Sequence, residues 1–298
     1  MPQIFLFALA LLIIPHQASA VELGIVTGSE KGTYYEIGQN ISKLVARRGI
    51  NLTVDSAKGS FENILAIYKK PDVELGIAQS DALKWYLERK VDVDESLKQA
   101  AKKVKIVFPL YNEEVHLLAN KQINTFSDLE GKVVSIGENG SGSYLTGSLL
   151  LTDMRVKIKQ FDEIKAIQAL LDGDIDAMFY VAGYPVKLFQ NIAPNGNLHL
   201  VPITPSDNYP IISTIPAQTY PWQTEKVSTI AVKAVLITYD YNGAKCKNVG
   251  RLAKIMYNNL DWLKRKGHEK WKTVDFDDFQ FDPQRIWEQS VCVKRQVK

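Results

Sequence analysis

Leu23–Gly38, LGIVTGSEKGTYYEIG, passes from a short β-rich run through a loop bearing two glycines into a segment of helical period. Leu23 to Val26 reads as a strand and Gly28 to Gly32 as a loop. The helix predicted from Thr33 to about Arg48 carries Ile37, Ile41, Leu44 and Val45 on one face. The pattern then repeats. Asn51 to Val54 is a second strand, and a helix from Ser60 places Phe61, Ile64, Leu65 and Tyr68 on one side. Leu75 to Ala78 is a third strand, after which Ser80-Asp81 caps a helix predicted to run to about Glu88. Successive βα units mean an α/β fold with a mostly parallel sheet, whose ligand crevice lies at the carboxyl ends of the strands.

Outward from this unit, Val104 to Ala119 is a β-rich stretch longer than an ordinary strand, so it is expected to pass between two sheets. A second βα series follows. Ser127-Asp128-Leu129-Glu130 has the form of a capping box, Val133 to Ile136 is a strand, and Gly137 to Ser143 is a glycine-rich loop opening a helix. Ala166 to Leu171 is helical and ends at Gly173. Asp176 to Val181 is a strand, and Gly183-Tyr184-Pro185 turns into a short helix with Pro at its start. Val227 to Tyr239 would carry the chain back, and Val249 to Lys266 is helical. Two crossings predict two lobes with a cleft between them, residues 21–112 plus 229–298 against 113–228. Pro194 to Pro221, rich in Pro, Asn and Thr, reads as a loop at the rim.

Composition narrows the function. The chain has 298 residues, 46% apolar and 23% charged, as in globular proteins of about two domains. A net charge of +3 is too small to imply a nucleic-acid footprint unless basic residues cluster on one face, so no nucleic acid is expected as partner. At the N-terminus, apolar Ile4 to Ile14, then Pro15 and Ala18-Ser19-Ala20, form a signal-peptide pattern with cleavage expected after Ala20. No Lys or Arg precedes Ile4, so the terminal amine alone supplies positive charge there; the alternative is a leader retained as an anchor. The run is shorter than the roughly 20 apolar residues needed to span a bilayer. Residues 1–20 are thus expected to direct export, leaving a soluble exported protein. The two cysteines, Cys246 and Cys292, exclude a Cys-rich zinc domain. Whether they pair or stay as buried thiols is open at this stage.

Catalytic motifs fail individually. His116, His199 and His268 occur without HExxH or CxxC, so no metal and no cofactor are expected. Glu113 and His116, three apart on an extended run, face opposite sides and make no acid/base pair; His116 is expected at the surface or in a hinge. The Gly137–Ser143 loop has no lysine after its glycines, no GxGxxG spacing and no G-x-S-x-G elbow. What remains is simpler: glycines admit a ligand to the backbone, and helix N-terminal amides with serine hydroxyls bind a small anion. Thr27–Tyr35, Ser56–Asn63 and Gln79-Ser80-Asp81 follow the same logic, giving four loops expected to converge on one cleft. They hold Lys31 and Lys58 but no Arg, so carboxylate recognition would rest on amides and hydroxyls rather than on a guanidinium clamp. The expected protein binds a ligand and is not an enzyme.

At these residues the chain resembles the TAXI-family solute receptors of TRAP transporters. The resembling segments are Val26-Thr27-Gly28 with Gly32-Thr33-Tyr34-Tyr35-x-Ile37-Gly38; Gly59-Ser60-x-Glu62-Asn63; Gly76-Ile77-Ala78-Gln79-Ser80-Asp81; Leu110-Tyr111-x-Glu113 with Val115-His116; Leu129-x-Gly131-Lys132-x-Val134-x-Ile136-Gly137 with Gly140-Ser141-Gly142-Ser143; and Asp176-Ala177-Met178-Phe179 with Gly183-Tyr184-Pro185. The resemblance implies a type II periplasmic-binding-protein fold that closes on glutamate, related amino acids or dicarboxylates and serves sodium-coupled membrane permease subunits. Carried over, the ligand shell would comprise Thr27, Thr33, Tyr34, Ser60, Asn63, Gln79, Ser80, Asn139, Ser141, Ser143, Tyr180 and Tyr184. Glu113 would serve as partner of a ligand ammonium or as a hinge residue. The alternative function is a periplasmic sensor reporting to a membrane kinase. From about Lys270 the tail departs from the family ending.

Overall fold

The structure, a computed structural model, describes residues 20–83, 95–193, 197–206, 209–282 and 286–297. The expected leader before Ala20, the helix towards Glu88 beyond Leu83 and Pro194 itself lie outside the described residues.

The first lobe is built as its sequence period dictates. Strands β1 (Val21–Val26), β2 (Ile50–Asp55) and β3 (Leu75–Gln79) alternate with helices α1 (Thr33–Ala46) and α2 (Ser60–Lys69). β1 pairs in parallel with β2 on one side and β3 on the other. Ile37, Ile41, Leu44 and Val45 of α1 are all buried against this sheet. Helix α3 (Glu95–Lys103) then leads into β4 (Lys105–Asn120), a 16-residue strand buried along nearly its whole length.

β4 is the first of two long antiparallel strands shared by both lobes. The second is β10 (Val227–Thr238), whose run of Val, Ile and Ala has apolar residues on both faces, as a strand covered on both sides requires. β10 pairs with β3 through Ala234–Ile237 and with β4 from Ala231 to Thr238. Its register shifts between Lys233 and Val235, where Pro109 of β4 lies opposite; proline lacks the N–H to continue a ladder and is accommodated at such irregularities. Beyond this point β4 pairs through Glu114–Ala119 with β7 (Ala177–Ala182). Both crossings expected from the sequence are therefore present, and the ladder of β4 with β7 begins at Glu114.

In the second lobe β5 (Val133–Ser135) is followed by α4 (Gly142–Leu150), then β6 (Lys157–Lys159), α5 (Glu163–Asp172), β7 and α6 (Lys187–Gln190). The sheet order is β2-β1-β3-β10-β4-β7-β5-β6. The segment read from sequence as a rim loop contains two short strands, β8 (Leu198–Leu200) on β4 and β9 (Ile212–Ile215) on β10. Neither has enough length or alternation to stand out against its Pro- and Asn-rich surroundings. The C-terminal helix is in fact two, α7 (Gly243–Asn258) and α8 (Leu260–Lys266), broken at Asn259 and followed by α9 (Val291–Val297). No helix among the described residues is long and apolar enough to cross a membrane.

Cys246 on α7 and Cys292 on α9 form a disulfide. It fastens the tail to the first lobe, and closing a loop of 46 residues is worth about 4 kcal/mol on a chain-entropy view. The rest of the tail is ordered by burial: Trp271 is fully buried, and Phe276 stacks on Phe108 of β4 with ring centroids 4.1 Å apart.

Candidate functional site

Three helices start at one place between the lobes. α1 begins after Gly32 and α2 after Gly59, neither with a side-chain cap; Gly59 has φ of +126°, a conformation that requires glycine. Opposite them, α4 begins at Gly142, capped by Ser141, whose Oγ accepts from the Tyr144 N–H at 3.1 Å. A Cβ at Gly142 would lie 2.4 Å from the Gln79 side chain, so glycine permits the lobes to approach. The three N-termini border one cavity of about 280 Å³, at the small end for a ligand site. Uncapped helix amides and the helix dipole favour an anion there.

Thr33, Tyr34, Ser60, Gln79, Glu113, Ser141, Ser143 and Tyr180 all line this cavity. Most are already oriented by the fold. Thr33 Oγ1 donates to the Gly183 carbonyl at 2.6 Å, and Ser60 Oγ accepts from the Gln79 N–H at 3.0 Å. Ser143 Oγ accepts from the Val181 N–H at 2.9 Å. The Tyr34 hydroxyl donates to Glu113 Oε2 at 2.6 Å. Burial pushes the Glu113 carboxyl well above the usual carboxylate range, and the Tyr34 hydrogen bond only partly offsets it. Gln79 Oε1 is buried without a hydrogen-bond partner, although buried carbonyl oxygens ordinarily have one. Glu113 and Gln79 thus both bring acceptor oxygens to the cavity lining, Gln79 beside the α4 N-terminus.

The other five predicted residues do not line the cavity. Thr27 is fully buried and donates to the Asp55 carbonyl at 2.9 Å, joining β1 to β2. Asn63 Nδ2 donates to the carbonyls of Thr27 and Ile77, at 2.5 and 2.6 Å, so its amide ties α2 to the ends of two strands. Ser80 Oγ accepts from the Lys233 N–H at 3.2 Å. Asn139 is exposed, and the Tyr184 ring lies beneath the Lys270 ammonium, 3.9 Å from its centroid. Of the two places expected for His116, the surface is excluded. It is completely buried, with Nε2 2.8 Å from the Tyr220 hydroxyl and its ring edge-on to Phe189, and burial lowers its pKa to about 4.

Sequence reasoning missed Phe161 and Glu163, which line the second-lobe wall with Met178 and Ala166. Asp162 caps α5 by accepting from the Lys165 N–H at 2.9 Å, so the segment follows a short strand and opens a helix. The strand-end logic applied to the four other loops would have found it.

Contacts across the cleft hold the lobes together. Lys58 and Glu138, from loops on opposite lobes, form an ion pair at 2.5 Å at the cavity edge. Asp81 accepts from Thr146 and from Tyr209, each at 3.1 Å, and Lys187 pairs with Glu36 at 2.6 Å.

The model of the NMT1-like family matches residues 25–280. Among solved structures, the chain is similar to an ancestral arginine-binding protein bound to arginine, at 16% identity and a TM-score of 0.51, covering 87% of this chain and 97% of that one. It is similar to an amino acid ABC transporter substrate-binding protein from Streptococcus pneumoniae bound to L-arginine, at 15% identity and a TM-score of 0.50, covering 85% and 91%. A periplasmic binding protein of an arginine transport system from Legionella pneumophila matches at 13% identity and a TM-score of 0.50, covering 80% and 94%. At these identities the likeness is one of fold: two α/β lobes of the type II periplasmic-binding-protein class.

Proposed function

This chain belongs to the NMT1-like family, and from that premise we propose that it is an exported solute receptor whose lobes close on a small amino acid or carboxylate. The observation that carries the reading is the convergence of three helix N-termini with the Glu113 and Gln79 acceptors in one interlobe cavity. An anionic carboxylate at the amides and an ammonium at Glu113 use both walls at once. Thr33, Tyr34, Ser60, Ser141, Ser143 and Tyr180 supply the remaining polar contacts. Residues 21–112 plus 229–298 form one closing body and 113–228 the other, with the leader removed after Ala20 and the receptor released to the periplasm. The motif resemblance from Val26 to Pro185 supports delivery of the solute to sodium-coupled TRAP permease subunits.

A thermal-shift panel of amino acids, dicarboxylates, keto acids and sugars, confirmed by calorimetry, tests the reading. A saturable rise with a small acid is expected; a ligand at 100 times its Kd stabilises by about 2.7 kcal/mol. No shift from any of them on a folded, ligand-free sample would remove the small-acid assignment.

A further inference from the structure

The charges lining the cavity are unevenly distributed. Lys58 is its single lining cation among the described residues, against the carboxyl groups of Glu113, Glu138 and Glu163. Lys58 is already engaged by Glu138 at 2.5 Å, which leaves no lining side-chain cation for a second carboxylate on a ligand. Glu163, by contrast, is half-buried at the cavity wall and makes no ion pair among the described residues. Beside it stand Phe161 and Tyr180, whose ring faces attract a cation. Lys165 lies over Phe161, 4.4 Å from its centroid, but is not part of the lining. The unpartnered Gln79 Oε1, on a side chain 2% exposed, adds one more acceptor.

From this arrangement we infer that Glu163 is a specificity-determining residue selecting amino acids with a cationic far end over dicarboxylates. The inference rests on the proposed receptor reading and sharpens it. The ligand's carboxylate lies at the helix N-termini, its α-ammonium meets Glu113 and Gln79, and its distal cation meets Glu163 against the Phe161 ring. A dicarboxylate would bring its second charge towards Glu163 with no free cation to receive it, and like charges in a closed cleft repel strongly.

The test is calorimetric titration of the purified protein, and of Glu163→Gln, with L-arginine, L-lysine, L-glutamine, L-glutamate and succinate. Wild type is expected to bind L-arginine or L-lysine at least about tenfold more tightly than L-glutamate or succinate. In Glu163→Gln the basic amino acid is expected to weaken about tenfold or more while L-glutamine changes little, so that the selectivity collapses rather than all binding. Tighter binding of L-glutamate or succinate by wild type overturns the inference and leaves the receptor reading standing. So does an unchanged preference in Glu163→Gln. Binding of none of the five, by a sample shown to be folded and ligand-free, overturns both.

Discussion

Glu113 and Glu114 are consecutive on β4, and the alternation of a strand sends their side chains to opposite faces. Both are almost fully buried, at 2% and 1% exposure, yet they are satisfied differently. Glu114 receives a protein cation: Lys270 Nζ lies 2.6 Å from its Oε1, and Ser213 Oγ donates to the same oxygen at 2.8 Å. Glu113 receives only the neutral Tyr34 hydroxyl and faces the cavity. One carboxylate is closed off by the fold, and its neighbour opens on the cavity, where on the proposed reading a ligand completes it. The difference separates a residue tied by an ion pair within the fold from one that, as proposed, reads a solute.

Removing the cation from the closed side should have the largest effect. Lys270→Ala leaves Glu114 as an uncompensated buried charge and is expected to destabilise the protein by about 3–5 kcal/mol, measured by denaturant unfolding. Adding Glu114→Gln should restore much of that loss; a single variant as stable as wild type would show that the pair carries no structural weight. On the open side, Glu113→Gln should melt within a few degrees of wild type, since it removes a buried carboxylate with no ionic partner. Its affinity for an amino acid should fall about tenfold to a hundredfold, the range for a charge-assisted hydrogen bond of about 1.5–3 kcal/mol.

The pH dependence sharpens the same contrast. Burial raises the pKa of Glu113 in the folded protein, so the ionised form costs stability at high pH and the cost is relieved as pH falls through that raised value. A ligand ammonium needs the ionised form. Amino acid affinity should therefore rise with pH across this window and lose that slope in Glu113→Gln, as read by titration at several pH values. Asp81, which bridges the lobes through Thr146 and Tyr209, is pushed up to about 6 by burial. Its contribution runs the same way, with stability gained as pH falls from about 6 towards the ordinary Asp range; Asp81→Asn should flatten that part of the melting profile. The smallest effect expected is Tyr34→Phe, about 1 kcal/mol of stability from one lost hydrogen bond, with Glu113 shifted further upward.

Much of this arrangement was legible in residue order. The βα period gave the first lobe, and the lengths of KIVFPLYNEEVHLLAN and VSTIAVKAVLIT announced the two shared strands. Thr33, Ser60 and Ser141 were readable as cavity-lining residues because each follows or caps a glycine-bearing turn into a helix, where geometry leaves little choice. Asn63 was not, since one turn into α2 its amide has two directions open, and the carbonyls of Thr27 and Ile77 claim it. Glu163 was missed because the strand-end reading was not extended to the three-residue strand that precedes its helix. Lys270 was hidden more deeply: its partner lies 156 residues away, and nothing local marks a lysine destined for burial.

The central claim, that Glu113 is completed by the ligand while Glu114 is completed by the fold, is tested most directly by calorimetric titration of wild type and Glu113→Gln with the best-binding amino acid. One-to-one binding in the micromolar range, weakened about tenfold or more in Glu113→Gln at an unchanged melting temperature, is the predicted result. Equal affinity in the two proteins would contradict it.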